Sequence, residues 1–159
     1  MILGLMLALQ SCHVYSFSGA SIDGKNINIH VLENRAANIN PTLAPSLNAK
    51  IRSRVLSQTG LAPVNTDAAD YDITGAITNY VVSTTAVQNQ QQASQNRLTI
   101  SVEISFKNRL NVKSNFTQTF TRFSDFPATS DINTVEGRLV DDIGTQLADD
   151  VFNKAFVNW

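Results

Sequence analysis

The chain has 159 residues, 43% of them hydrophobic and 16% charged, enough for one domain with its own core and too little for two of ordinary size. Lys and Arg number 12 against 13 Asp and Glu, which excludes nucleic-acid binding driven by net charge, and the composition is too apolar for a disordered chain. The single cysteine excludes an intrachain disulfide framework and a cysteine-based zinc cluster, and the two histidines, His13 and His30, leave little for metal or acid–base chemistry.

Residues 1–11, MILGLMLALQS, form an apolar run that stops at Cys12. A membrane-spanning helix needs about 20 apolar residues, whereas a secretory apolar region needs roughly 7–15. Leu9-Gln10-Ser11-Cys12 has the form of a bacterial lipobox, with an apolar residue three positions before the cysteine and a small one immediately before it. This predicts a lipoprotein signal peptide over 1–11, a diacylglycerol and a further acyl chain such as palmitate on Cys12, and one mature domain over 12–159 tethered to a membrane. Each buried CH₂ of such a chain contributes about 0.8 kcal/mol. Signal peptides begin with Lys or Arg, and none precedes Cys12, so translation is expected to start a few residues upstream. The competing reading is a buried N-terminal helix ending in an inert cysteine. Nothing acidic in 13–18, HVYSFS, points to export to the cell exterior.

Residues 26–32 alternate, Ile27, Ile29 and Val31 against Asn28 and His30, which predicts a half-buried strand. Asn40-Pro41 reads as a helix cap and first turn; Leu43, Leu47, Ile51 and Val55 form its apolar stripe, and Gly60 is its stop. Tyr71, Ile73, Ile77 and Val81 predict a second strand, in which Gly75 marks a bulge or a close backbone approach. Gln88–Gln95, QNQQQASQ, reads as a long hairpin loop. Leu98, Ile100, Val102, Ile104 and Phe106 alternate without a break and give a third strand, Asn108–Lys113 a turn, and 114–124 a fourth strand. A last helix is expected from Asn133, with Asn133 and Glu136 as a capping box and Leu139, Val140, Ile143, Leu147 and Val151 as its stripe. The order β-α-β-β-β-α predicts an α+β domain, two helices on one face of a four-stranded sheet whose last three strands are antiparallel.

No catalytic constellation is present. A Ser/His/Asp arrangement needs a histidine inside the domain; only His30 qualifies, and it falls on the polar face of a predicted strand, where a surface histidine is expected. There is no phosphate-binding GxxxxGK[ST] or GxGxxG. Asp141, Asp142, Asp149 and Asp150 recur about two turns apart, roughly 12 Å along the axis, too far to clamp one ion from a single helix, so they are read as a solvated face. Charge is uneven: Arg97, Lys107, Arg109, Lys113 and Arg122 meet only Glu103 over 97–122, while 125–154 is strongly acidic. A basic hairpin face could bind a phosphorylated ligand; it could equally be ordinary charge that guards a sheet surface. Phe116, Phe120, Phe152 and Phe156 are expected in the core. Phe123, Phe126 and Trp159 are left unplaced, Trp159 as a core seal or a partner contact.

Several stretches carry a family resemblance: residues 12–20 (CHVYSFSGA), Asn34-Arg35-Ala36 followed by Asn40-Pro41-Thr42-Leu43, residues 96–100 (NRLTI) and residues 152–159 (FNKAFVNW). In order and spacing the chain resembles a divergent, non-enteric branch of the LptE lipopolysaccharide-assembly lipoproteins. The resemblance implies a non-enzymatic outer-membrane lipoprotein facing the periplasm, a one-to-one plug inside the LptD β-barrel, lipopolysaccharide as ligand, no cofactor and no metal. Cys12 matches the acylated cysteine of the family. Arg97, Lys107, Arg109 and Lys113 are candidate ligands of lipopolysaccharide phosphates from local charge alone. The competing function is a free-standing periplasmic lipoprotein that binds lipid or glycan without a barrel.

Overall fold

The structure, a computed structural model, describes residues 22–37, 40–85 and 94–157. The apolar leader, Cys12, the glutamine-rich stretch up to 93 and Trp159 lie outside the described residues. The elements are β1 (Asn26–Ile29), β2 (Glu33–Asn34), α1 (Leu43–Thr59), β3 (Ala62–Pro63), β4 (Tyr71–Thr85), β5 (Gln95–Asn108), β6 (Phe116–Pro127) and α2 (Ile132–Phe156).

The unbroken alternation on β5 decides the architecture. Leu98, Ile100, Val102, Ile104 and Phe106 are each 0–1% exposed, because successive side chains of a strand point to opposite faces and this set faces the helices. The α1 stripe of Leu43, Leu47, Ile51 and Val55 and the α2 stripe of Leu139, Val140, Ile143, Leu147 and Val151 are buried against it in one cluster. Phe120 and Phe156 are buried, and Phe116 and Phe152 pack partly buried on the same core. Phe126 is buried as well, while Phe123 is 48% exposed. Gly144 lets the helices close together, since a Cβ there would lie 3.1 Å from Leu47 Cδ2.

The sheet has six strands rather than the expected four. Its order is β3-β1-β4-β5-β6, with β2 on the same edge of β4 as β1. β1 and β2 run parallel to β4 and β3 parallel to β1, whereas β4, β5 and β6 are antiparallel neighbours. The two additional strands have two residues each, too short to show a period of two in sequence. The predicted first strand over 26–32 is broken after Ile29: Val31 is 70% exposed and Leu32, at 4%, takes the interior place. Leu32 then lies over Gly75, where a Cβ would stand 3.0 Å from Leu32 Cδ2, 2.7 Å from Ile104 Cδ1 and 2.6 Å from the Glu103 carbonyl oxygen. Gly75 is therefore a close approach and not a bulge.

The bulge on β4 comes later, where the pairing with β5 shifts between Ile77 and Asn79. One extra residue reverses the facing of all that follow. Tyr80 turns inward at 7% exposure, and Val81, expected inside, is 46% exposed. The helix starts also differ from expectation. Asn40 stands outside α1 and its Oδ1 accepts from the Thr42 N–H at 2.9 Å, so the helix begins at Leu43. Gly60 ends it with φ 67°, as expected. On α2 the cap is Asp131, whose carboxylate accepts from the Asn133 N–H at 3.0 Å. Glu136 is thereby released from a capping role: it accepts from the Tyr80 hydroxyl and, at 2.7 Å, from Asn40 Nδ2. Burial and this bond to Glu136 push the Tyr80 phenol up, so it remains a donor. One carboxylate thus ties the sheet, the entry to α1 and the first turns of α2 together.

Gly75→Ala is expected to cost about 1–3 kcal/mol, because the Glu103 carbonyl belongs to the backbone and cannot step aside as the two side chains can. Urea unfolding measures it; an unchanged midpoint would show that the sheet relaxes freely here.

Candidate functional site: the helix-free face of the sheet

Each residue of β5 that alternates with the core set belongs to the opposite face, and no described helix lies there. Cross-strand register arranges this face in rows. From one end they run Asn28–Asp72–Lys107, Thr74–Ser105–Thr117, Ala76–Glu103–Thr119, Asn79–Ser101–Thr121, Val81–Thr99–Phe123 and Ser83–Arg97–Asp125. Its middle is built from hydroxyls. Ser101 Oγ lies 2.8 Å from Thr121 Oγ1, and Thr117 Oγ1 donates to Ser105 Oγ at 3.2 Å. The middle rows offer hydrogen bonds, and the row of Val81 and Phe123, 46% and 48% exposed, adds apolar area toward the Arg97 end.

The candidate cations do not form one patch. Lys107 stands next to the last residue of β5, Arg109 follows the strand, and Lys113 lies in the short 3₁₀ turn Val112–Ser114 that leads into β6. Arg97 stands ten residues before Lys107, about 33 Å away along the strand. Its guanidinium is engaged: Nε and Nη2 donate to the two Asp125 oxygens at 2.7 and 2.9 Å, and the group stacks 3.7 Å from the Phe123 ring centroid. Arg122 belongs to the other face and pairs with Asp150 of α2 at 2.6 Å. Lys107, Arg109 and Lys113 pair with no carboxylate among the described residues, and all three are exposed.

The acidic helix is likewise more engaged than a solvated face. Asp141 pairs with Lys50, Asp149 with Arg54, Asp150 with Arg122 and Asp142 with Arg138. The first two pairs fasten α2 to α1 and the third fastens it to β6. Among the described residues no group of three His, Cys, Asp or Glu could hold a metal ion.

At the β1–β4 seam a histidine meets a carboxylate. His30 Nε2 lies 2.8 Å from Asp72 Oδ1 and 2.9 Å from Asn28 Nδ2. These residues are 42 apart in the chain and meet only through the parallel β1–β4 register. The signal available in sequence was that His30 and Asp72 both lie on the polar faces of their strands.

The Arg97 hydrogen bond holds the Asp125 carboxyl below its ordinary value, so its contribution is present above the unfolded carboxylate pKa of about 3.9 and is lost as pH falls through the folded value. Asp125→Asn is expected to lower the urea midpoint slightly at pH 7, with the difference shrinking toward pH 3 and in high salt. A difference that is independent of pH would contradict this assignment.

A family model described as LptE, lipopolysaccharide-assembly, matches residues 25–155. No curated protein sequence matches the chain. Among solved structures, a minor lipoprotein from Acinetobacter baumannii aligns with a TM-score of 0.55 at 15% identity, covering 85% of this chain and 92% of that one. A hypothetical protein from Chlamydia trachomatis aligns with a TM-score of 0.56 at 10% identity, covering 85% and 99%. The uncharacterized lipoprotein B from Nitrosomonas europaea gives 0.53 at 11% identity, covering 94% and 88%. These identities establish a shared fold. The family match extends from just before β1 almost to the end of α2, and the chain belongs to the LptE lipopolysaccharide-assembly family.

Proposed function

We propose that this protein is an outer-membrane lipoprotein, acylated on Cys12 and facing the periplasm, that plugs and supports an LptD-type β-barrel and receives lipopolysaccharide on the helix-free face of its sheet. The observation that carries the reading is the pairing of a hydroxyl-lined, uncovered sheet face with the unpaired cations Lys107, Arg109 and Lys113 at its end. Lipopolysaccharide presents phosphates beside sugar hydroxyls. Flexible ammonium groups suit the phosphates as point charges, an Arg fork can hold one bidentately, and the Ser and Thr rows match the sugars. Arg97, neutralised by Asp125 at the far end, is a separate and weaker contact point. The role is binding and occlusion, not bond-breaking chemistry. No described helix is long and apolar enough to cross a membrane.

Extraction of the tagged protein from outer membranes in mild detergent is expected to bring a large β-barrel with it at one to one, with acyl chains on Cys12 in the same mass spectra. Recovery of the acylated protein alone would overturn the plug and leave a free-standing lipid- or glycan-binding lipoprotein. Lys107→Glu combined with Arg109→Glu is expected to weaken lipopolysaccharide binding about tenfold, equivalent to roughly 1.4 kcal/mol, with only a small drop in the urea midpoint, since both side chains are exposed and the one new clash is with Asp72 across the strand. Unaltered binding by that variant would remove the basic end from the site.

A further inference from the structure

At the opposite edge of the sheet from β6, β3 ends at Pro63 opposite Ile27, and beyond the bond from the Val64 N–H to the Ile27 carbonyl the outer edge of β1 has no strand neighbour among the described residues. A cleft of about 510 Å³ opens there, lined by Asn28, His30 and Val31 of the β1 segment, by Val64 and Asn65, and by Arg52 of α1. Its size is that of a small-molecule site. Arg52 has no acidic partner among the described residues, although Lys50 and Arg54 on the same helix are paired to Asp141 and Asp149. The cleft therefore holds one uncommitted guanidinium and one imidazole.

The imidazole is constrained by what surrounds it. An ionised carboxylate only accepts and an amide NH₂ only donates, so Nε2 of His30 can serve Asp72 or Asn28 but not both. A proton on Nε2 satisfies Asp72, which is 14% exposed at its side chain. In the neutral ring Nδ1 is then a lone-pair acceptor that repels an anion; in the imidazolium it is a second donor. No hydrogen bond occupies Nδ1 among the described residues. Around His30 lie Asp72 on β4, which it contacts at 2.8 Å, Lys107 of β5 in register with Asp72, and Arg52 of α1, which lines the same cleft. Glu33 on β2 and Arg35 just after it pair with one another at 2.6 Å. Cations outnumber carboxylates around the ring once it is protonated.

We infer that this cleft binds a singly charged phosphate group, gripped by the Arg52 guanidinium and the Nδ1–H of protonated His30, with Asp72 holding the ring through Nε2. Occupancy is coupled to proton uptake, so affinity rises as pH falls, and by reciprocity the bound anion favours the imidazolium. Lys107 shares a row with Asp72, but neither Lys107 nor Arg109 lines the cleft, and failure of this site would leave the assembly role untouched. The phosphate can belong to a lipid headgroup or to a soluble phosphodiester.

The test follows the His30 ring by NMR in the full chain carrying His13→Gln, so that one histidine remains. Dimethyl phosphate is the soluble probe, because its charge does not titrate near neutrality; phosphatidylglycerol bicelles are the headgroup probe, and phosphatidylcholine bicelles the control. Dimethyl phosphate is expected to raise the His30 titration midpoint, with binding about tenfold weaker in Arg52→Ala. A response to dimethyl phosphate supports a site for the free phosphodiester, and a response to phosphatidylglycerol alone supports the headgroup. No response to either probe, or an equal response in Arg52→Ala, would overturn the site.

Discussion

Alternate residues of β5 from Leu98 to Phe106 must remain under the two helices, and most of the molecule follows from that requirement. Five apolar side chains at 0–1% exposure fix which face of the central strand is inside. A register slip of one residue would expose all of them and bury Arg97, Glu103 and Lys107. Neighbouring strands must match this phase. β6 does so through Phe116, Phe120 and Phe126, and β4 does so through Tyr71, Ile73 and Ile77 before its bulge and Tyr80 after it. The helices have one face to cover, so the other is left to polar side chains.

That division links packing to function. Acids on α2 are spent on Lys50, Arg54 and Arg122, which hold the helical layer to itself and to β6. The helix-free face keeps hydroxyls in its middle and unpaired cations at one end. Exposed pairs of this kind contribute little stability each, so the segregation matters more for what the surface presents than for what it holds together. In the proposed function this surface meets a ligand of matching chemistry, phosphates beside sugars.

The helical stripes, the β5 alternation and the Gly60 stop were legible in the sequence because each is a local, repeated pattern. Leu43, Leu47, Ile51 and Val55 show the helix period directly. What was not legible depended on contacts between distant segments. The displacement of Val31 by Leu32 and the exposure of Val81 arise from a strand break and a one-residue bulge, which a period of two cannot anticipate. Glu136 looked like half of a capping box, yet Asp131 caps the helix and Glu136 turns to Tyr80 and Asn40. For the candidate site, net charge along 97–122 drew attention to five cations, but linear charge could not separate Lys107, Arg109 and Lys113, which pair with no carboxylate among the described residues, from Arg97, paired across to β6, or Arg122, which points to α2. The meeting of His30 with Asp72 required knowledge of the parallel β1–β4 pairing.

In the proposed function the helix-free face, and not the helical layer, meets the ligand. Photoreactive side chains placed in living cells at Ser105 and Thr119 on that face, and at Thr145 and Gln146 on the exposed side of α2, test it directly. Lipopolysaccharide adducts at Ser105 and Thr119 and none at Thr145 or Gln146 are the predicted result. Adducts confined to the α2 positions would contradict the account.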